Sequence, residues 1–390
     1  MAVRGVSLLC IEKLAAAWTV ATTLLVVALW SHLPEAAAML QTRLVWCVAT
    51  AAAVAIDHRW SGLWSELLRC AVQLAWLSVW YPETYELNRW RENLDWWFAE
   101  AEWGVFGCQP SLEMCRLLPG AVWSELFNLG YFSYFPMIAV LIFGLAWVVG
   151  PGGETPGTAA GPGGETPGTA AGPGGEAAGT VAGPGGEAAG TVAGPGGEAA
   201  GTAAGPGGKA EGTVAGPGGK AAGTVAGEGL VTRVAGVVLL SFFVYYVIYI
   251  ALPVTGPQFY FAAIGTDSAA AGIYPHVGTY FNTHTAMLPS PGWSDGLFHR
   301  LVEWTHETGE RPTAAFPSSH VGCSTIVFIL AWRHVRQVVP VLFPLWVLLC
   351  GATVYIQAHY VIDAVAGLLS APLVLWLSRR CVAAMSGGVA

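Results

Sequence analysis

Two short stretches of the 390-residue chain hold side chains that could do chemistry together. One is Ala315-Phe316-Pro317-Ser318-Ser319-His320-Val321-Gly322, and the other is His359-Tyr360-Val361-Ile362-Asp363-Ala364-Val365-Ala366-Gly367. Each opens an apolar run, and ionisable groups at such places are costly enough that function is the first explanation to test. Pro317 suits a helix start, because its missing N–H would be unpaired there anyway, and Ser318 or Ser319 can cap the helix. The free backbone N–H groups and the positive end of the helix dipole then favour an anion such as phosphate. In the second stretch His359 and Asp363 are four residues apart, on one helix face. A carboxylate accepting from one ring nitrogen fixes the imidazole tautomer and leaves the other nitrogen free to attack. Two histidines, a carboxylate and an anion-binding helix start are the parts that phosphoryl transfer needs.

Those parts must be brought together by the elements between them. From His320 to Gln337 is a leg of about 26 Å and from Pro340 to His359 one of about 29 Å, at about 1.5 Å per helical residue. Two nearly equal legs joined by a short turn form a helical hairpin, so His320 and His359 are expected at the same end of it.

The solvent around that hairpin is lipid. The chain is 54% hydrophobic and only 11% charged, with a mean hydropathy of +0.54. Soluble domains carry about 25% charged residues, so an ordinary soluble protein is excluded. The net charge of -8 offers no broad basic surface and speaks against a nucleic-acid partner. Hydropathy predicts eight spans: Leu14 to Trp30, Met39 to Ile56, Leu63 to Tyr81, Leu126 to Val149, Val234 to Leu252, Ser319 to Trp332, Val338 to Ile356 and Tyr360 to Leu377. Arg43 interrupts the second, and Glu66 and Arg69 in the third are spaced to pair. The first span, although followed by Ala36-Ala37-Ala38, is longer than a signal-peptide core and reads as an uncleaved signal anchor. The fold class is therefore all-α, a polytopic helical membrane protein.

Basic residues orient the set. Arg4, Lys13, His58, Arg59, Arg333, Arg336, Arg379 and Arg380 all fall on one side of an eight-span arrangement, the cytoplasmic one. Both termini are then expected inside. The loops from Pro82 to Ser124 and from Pro253 to Ser318 are expected on the outer, periplasmic face of a plasma (inner) membrane. The run from Glu86 to Phe106, rich in Trp and acids, reads as a helix lying at the outer interface. Residues 150–229 hold 30 glycines and 9 prolines, mostly in seven tandem 11-residue units. Four glycines and at least one proline per unit forbid a stable helix, so this segment is expected to be a flexible cytoplasmic linker. The organisation expected is three spans over 1–81, an outer loop over 82–124, a catalytic-bundle span over 125–149, the linker over 150–229 and the rest of the catalytic bundle over 230–390.

Phe-Pro-Ser-Ser-His and His-Tyr-Val-Ile-Asp-Ala-Val-Ala-Gly resemble the second and third signature motifs of the type 2 phosphatidic acid phosphatase superfamily. The variant is closest to the branch with inositol phosphorylceramide and sphingomyelin synthases, and Pro253-Val254-Thr255-Gly256-Pro257 is similar to that branch too. The resemblance is specific from about Tyr249 to Leu377, weak over Arg91 to Phe143, and absent from the first three spans and the linker. It implies a phosphatase-like helical bundle acting on a lipid phosphate or diphosphate, or a lipid headgroup phosphotransferase, and a non-catalytic membrane protein that keeps only the fold is the third reading. It further implies His359 as a nucleophile that becomes phosphohistidine, Asp363 as its orienting group and His320 as general acid. Ser318 and Ser319 would hold phosphate oxygens, and such an assembly uses no metal and no cofactor.

Two departures stand out. The phosphatase branch has an Arg six residues before the nucleophilic His, where this chain has Thr353, and the Lys of its first signature is replaced by Trp304. Arg311, followed by Pro312, is left as the candidate for neutralising phosphate, with a solvated loop charge as the ordinary reading. Cys108 and Cys115 could close a small disulfide if their loop faces an oxidising compartment. His276, His284, His299 and His306 are expected to be ordinary polar residues.

Overall fold

The computed structural model describes residues 7–150 and 229–386. The 11-residue repeats lie outside the described residues. Among the described residues there is no strand, only helices and the turns between them. The first half holds α1 (Cys10–Ala28), α2 (Ala36–Arg59), α3 (Leu63–Ala75), α4 (Leu77–Asn88), α5 (Asp95–Phe106), α6 (Pro110–Leu117), α7 (Ala121–Phe132) and α8 (Tyr134–Val149). The second holds α9 (Leu230–Ala251), α10 (Pro257–Ile264), α11 (Thr266–Ala270), α12 (Leu297–Gly309), α13 (Ser319–His334), α14 (Val339–Tyr355) and α15 (Val361–Met385).

Five stretches are long and apolar enough to cross a membrane: α1, α2, α9, the segment Arg336–Tyr355 that contains α14, and α15. The pair α7 and α8, bent by 54° at Ser133, makes a sixth if taken as one span. Two of the eight expected spans therefore fall short. The run from Leu63 to Tyr81 is broken at Trp76 into α3 and α4, of 13 and 12 residues. The 16 residues of α13 rise about 24 Å, less than the roughly 30 Å of a hydrocarbon core.

Lipid-exposed helices cannot leave charge unpaired, and the spans solve this between elements. Arg43 of α2 meets Glu83 of α4 with Nη2 2.9 Å from Oε2. Arg69 of α3 does not pair with Glu66 as the spacing suggested. It reaches Glu12 of α1 at 2.7 Å and Asp57 of α2 at 2.7 Å, while Glu66 accepts from the Thr232 hydroxyl of α9.

The centre of the assembly is α9, whose Tyr245, Tyr246 and Tyr249 are all buried. It packs on α1, α3, α4, α8, α13 and α15. Helices α13 and α15 cross closely because Gly367 has no side chain: a Cβ there would collide with the Ser318 carbonyl. This crossing sets the start of α13 against the first turns of α15, where both sequence motifs lie.

Candidate active site

The hairpin of α13 and α14 returns the chain as its leg lengths require, and His320 Nδ1 ends 3.2 Å from His359 Nε2. The other nitrogen of His359, Nδ1, is 2.8 Å from the Ala315 carbonyl oxygen. A carbonyl can only accept, so Nδ1 carries the proton and Nε2 of the neutral ring presents a lone pair. His320 Nδ1 must then be the donor of the pair. Asp363 Oδ2 lies 3.7 Å from His359 Nδ1 and takes its hydrogen bond from the Tyr360 N–H at 2.9 Å. It thus closes the first turn of α15 and sets its carboxyl group beside the ring. Burial disfavours the charged imidazole and pushes His359 down to about 4, while the Ala315 carbonyl and the nearby Glu310 carboxylate act the other way.

The start of α13 is capped by its own sequence, Ser318 Oγ accepting from the Val321 N–H at 3.3 Å. Two other early amides have partners: Ser318 N–H donates to the Asp363 carbonyl at 3.0 Å and Ser319 N–H to Tyr249 Oη at 2.8 Å. Aromatic rings wall the site. Tyr131 stacks on His320 with centroids 4.7 Å apart, and Tyr134 lies 4.4 Å from it on the other contact.

Two carboxylates of α5 reach the same place. Asp95, fully buried, accepts from the Thr255 N–H at 2.7 Å, the Gly256 N–H at 2.8 Å, Asn93 Nδ2 at 2.6 Å, Thr255 Oγ1 at 3.0 Å and Tyr360 Oη at 3.1 Å. Burial raises its carboxyl above the usual range despite those donors, the Thr255 amide foremost among them. Glu102, also fully buried, accepts from the Val361 N–H at 2.5 Å, and burial pushes it up to about 8. The sequence reading missed both. The helix from Glu86 was expected to show its acids to water, whereas α5 turns Asp95 and Glu102 inward and leaves Trp97 58% exposed. No residue type signalled them, because their donors include the backbone N–H groups of Thr255, Gly256 and Val361.

The remaining predicted residues divide. Arg311 is half-buried and its Nη1 donates to the Glu310 carbonyl at 2.7 Å. Thr353 is buried, with its hydroxyl turned back to the Cys350 carbonyl and its own carbonyl accepting from the His359 N–H. Cys108 and Cys115 are not bridged. Cys115 Sγ instead donates to the Tyr355 carbonyl at 2.9 Å, which turns it into the α14 interface and away from a partner thiol. His306, expected to be ordinary, is buried, edge-on to Tyr131 at 5.7 Å and 3.7 Å from Glu303, which it helps hold at about 2. Glu310, also overlooked, accepts from Tyr81 Oη at 2.5 Å. Among the described residues no group of three or more His, Cys, Asp and Glu side chains could hold a metal ion.

Helices α9 to α15 as far as Leu377 thus carry both histidines, Asp363 and the capped start of α13. The same region is picked out by comparison with family models. Residues 226–377 match the PAP2 superfamily. No curated protein and no solved structure matches the chain. PAP2 is the type 2 phosphatidic acid phosphatase superfamily whose motifs the sequence resembles, and its general activity is of phosphatase type. The matched segment holds every predicted site residue except the two cysteines, and it leaves out α1 to α8, including Asp95 and Glu102.

Proposed function

We propose that the chain is an integral-membrane lipid phosphatase that works through a phosphohistidine. The observation that carries this reading is the His320–His359 pair at 3.2 Å, with the far nitrogen of His359 committed to a carbonyl. That arrangement leaves one lone pair, on Nε2, facing one proton, on His320. A substrate phosphorus has to enter between the rings, because 3.2 Å leaves no room for it. His320 then moves aside over Tyr131 while staying within reach of the leaving oxygen. Attack forms the Nε2–P bond and breaks the P–O bond to the lipid, whose oxygen takes a proton from His320 in its imidazolium form and leaves that ring neutral. Water next attacks phosphorus, giving a proton back to His320 and releasing inorganic phosphate from His359.

Asp363 supports the positive charge that grows on His359 in this step, and the Ala315 carbonyl sets the ring. Ser318 and Ser319 face the phosphate with hydroxyls, since their amides are used within the protein. Arg311 is the nearest candidate cation in sequence, and the lipid tail leaves sideways between helices. By the positive charges of the loops the site opens to the outer face and both termini are cytoplasmic.

One observation favours a second reading, headgroup transfer of the kind carried out by inositol phosphorylceramide and sphingomyelin synthases. Thr353 replaces a cation at the nucleophile, and the Glu310 carboxylate lies near His359. A site so poor in positive charge suits a phosphodiester monoanion better than a phosphomonoester dianion. The deciding experiment is phosphate release from lipid phosphates and diphosphates in detergent, for wild type, His359→Ala and His320→Ala. Release that both substitutions abolish supports the phosphatase. Release unaffected by His359→Ala would falsify both readings, and product formation only when an alcohol is added would select the second.

A further inference from the structure

Helix α5 buries two acids beside the site and lies outside the segment matched to the superfamily. Taking a carboxylate out of water is expensive unless hydrogen bonds replace the lost solvation. Asp95 is matched by five donors, and following those donors leads to His359 twice. The Thr255 and Gly256 amides fix the turn whose Val254 carbonyl accepts from the Ala315 N–H at 3.1 Å. Ala315 in turn offers its carbonyl to His359 Nδ1. The second route is the Tyr360 hydroxyl, one residue from His359. Gly256, at φ 89°, seats this turn directly on the Ala358 carbonyl, which a Cβ would strike.

The segments held in this way are under strain. Ala314 at φ 70° and Gln357 at φ 67° occupy the left-handed region despite carrying a Cβ, one beside Ala315 and the other two residues before His359. Such conformations persist only where the surroundings over-determine them. Asp95 supplies that determination on one side, and Glu102, bonded to the Val361 N–H, fixes the first turn of α15 on the other.

We infer that α5 is the positioning element of the nucleophile: Asp95, acting through the 254–256 turn and Tyr360, presents the Ala315 carbonyl that holds His359 with its proton on Nδ1. The inference rests on the assignment of His359 as nucleophile. It makes the first half of the chain part of the catalytic apparatus, since the ring is set from outside the matched bundle. Asp95 touches neither substrate nor reacting atoms, so its effect falls on turnover and not on lipid binding.

The test uses the full-length protein in detergent, as wild type, Asp95→Asn and Tyr360→Phe. Asn keeps the shape but turns an NH2 toward amides that already donate. For Asp95→Asn the expected loss in kcat is on the order of 10²-fold, with KM within about twofold. Tyr360→Phe, which removes a single hydroxyl, should show a smaller loss of the same kind and keeps the test usable if Asp95→Asn does not fold. The Ala315 carbonyl supports the protonated ring, so the acid limb of kcat/KM should move to lower pH in Asp95→Asn, whereas a structural lesion lowers the active fraction and leaves the limb in place. Nitrogen-15 NMR of histidine-labelled protein reads the tautomer without any turnover. Wild type is expected to show Nδ1–H at His359, and Asp95→Asn a mixture. A wild type with this tautomer but no hydrolysis overturns the phosphatase reading and leaves the positioning intact. Wild-type kcat in both variants, or an unchanged tautomer in Asp95→Asn, overturns the inference.

Discussion

His359 Nδ1 lies 2.8 Å from the Ala315 carbonyl oxygen and 3.7 Å from Asp363 Oδ2. The backbone therefore fixes the tautomer, and the Asp363 carboxyl stands beside the ring without a hydrogen bond to it. Where a carboxylate fixes the tautomer, exchanging it for an amide costs about 10⁴ in kcat. Here Asp363→Asn should cost only about 10- to 100-fold, the share left to charge stabilisation. Steady-state kinetics on the purified variant decide the matter, and a loss near that of His359→Ala would return the orienting role to Asp363.

His320 faces the lone pair of His359 as a proton donor, so its removal should depend on the leaving group. With a lipid alcohol, which leaves poorly, His320→Ala should slow turnover by about 10²- to 10⁴-fold. With a phosphate ester of an acidic phenol the first step needs no proton and most of that loss should vanish. Equal losses on both substrates would remove His320 from the general-acid role.

The pH profile follows from burial. His359 is held down at about 4 against the ordinary 6.5, since the folded environment disfavours the imidazolium. Protonation of Nε2 blocks attack, so kcat/KM should fall on the acid side near pH 4, and activity should persist through the range where an exposed histidine is already charged. A limb centred near 6.5 would mean that the free enzyme opens this ring to water.

What could be read from the sequence were features with a local period or spacing. The i,i+4 relation of His359 and Asp363 and the equal legs to His320 depend only on helix rise, and the structure brings these groups together. The span count was less secure, because the Leu63 to Tyr81 run contains no visible break, and α3 and α4 part at Trp76 through packing against α9 and α2. Asp95 and Glu102 were illegible for a different reason. Their partners are backbone amides 160 and 259 residues away, as in Asp95 with Thr255 and Glu102 with Val361, and amides carry no mark in a sequence. An acidic, Trp-rich helix looks interfacial until the loop that consumes its charges is known. Cys115 is the converse case, a spacing that suggested a bond where the fold turns the thiol toward Tyr355.

The buried pair of Arg43 and Glu83 predicts a stability effect remote from the site. Both are under a tenth exposed, so removing one partner strands the other's charge in a dry interface. Arg43→Ala should destabilise the α2–α4 contact by about 3–5 kcal/mol, and a paired apolar replacement of both residues should recover most of it. Arg116→Ala, which breaks the exposed pair with Glu113, should leave thermal unfolding in detergent unchanged. If all three variants melt alike, the pair does not join the helices as described.

Glu102 couples the grip of α5 to pH. Its folded value of about 8 stands above the ordinary 4.5 because burial disfavours the carboxylate, and the Val361 amide offsets only part of this. The folded protein thus binds this proton more tightly than the unfolded chain does. The contribution is fully present below 4.5 and is lost as pH rises through about 8. Wild type should therefore lose thermal stability between about pH 5 and about pH 9, and Glu102→Gln, which cannot ionise but keeps an acceptor for Val361, should lose less over the same interval. The carboxylate also has an oxygen without a partner inside the protein, so its ionisation places an uncompensated charge at the α15 start, close to the Asp363 carboxyl. Hydrogen exchange at α5, corrected for the intrinsic pH dependence of exchange, is the local readout, and protection there that stays flat with pH in wild type would show that Glu102 does not titrate over this interval.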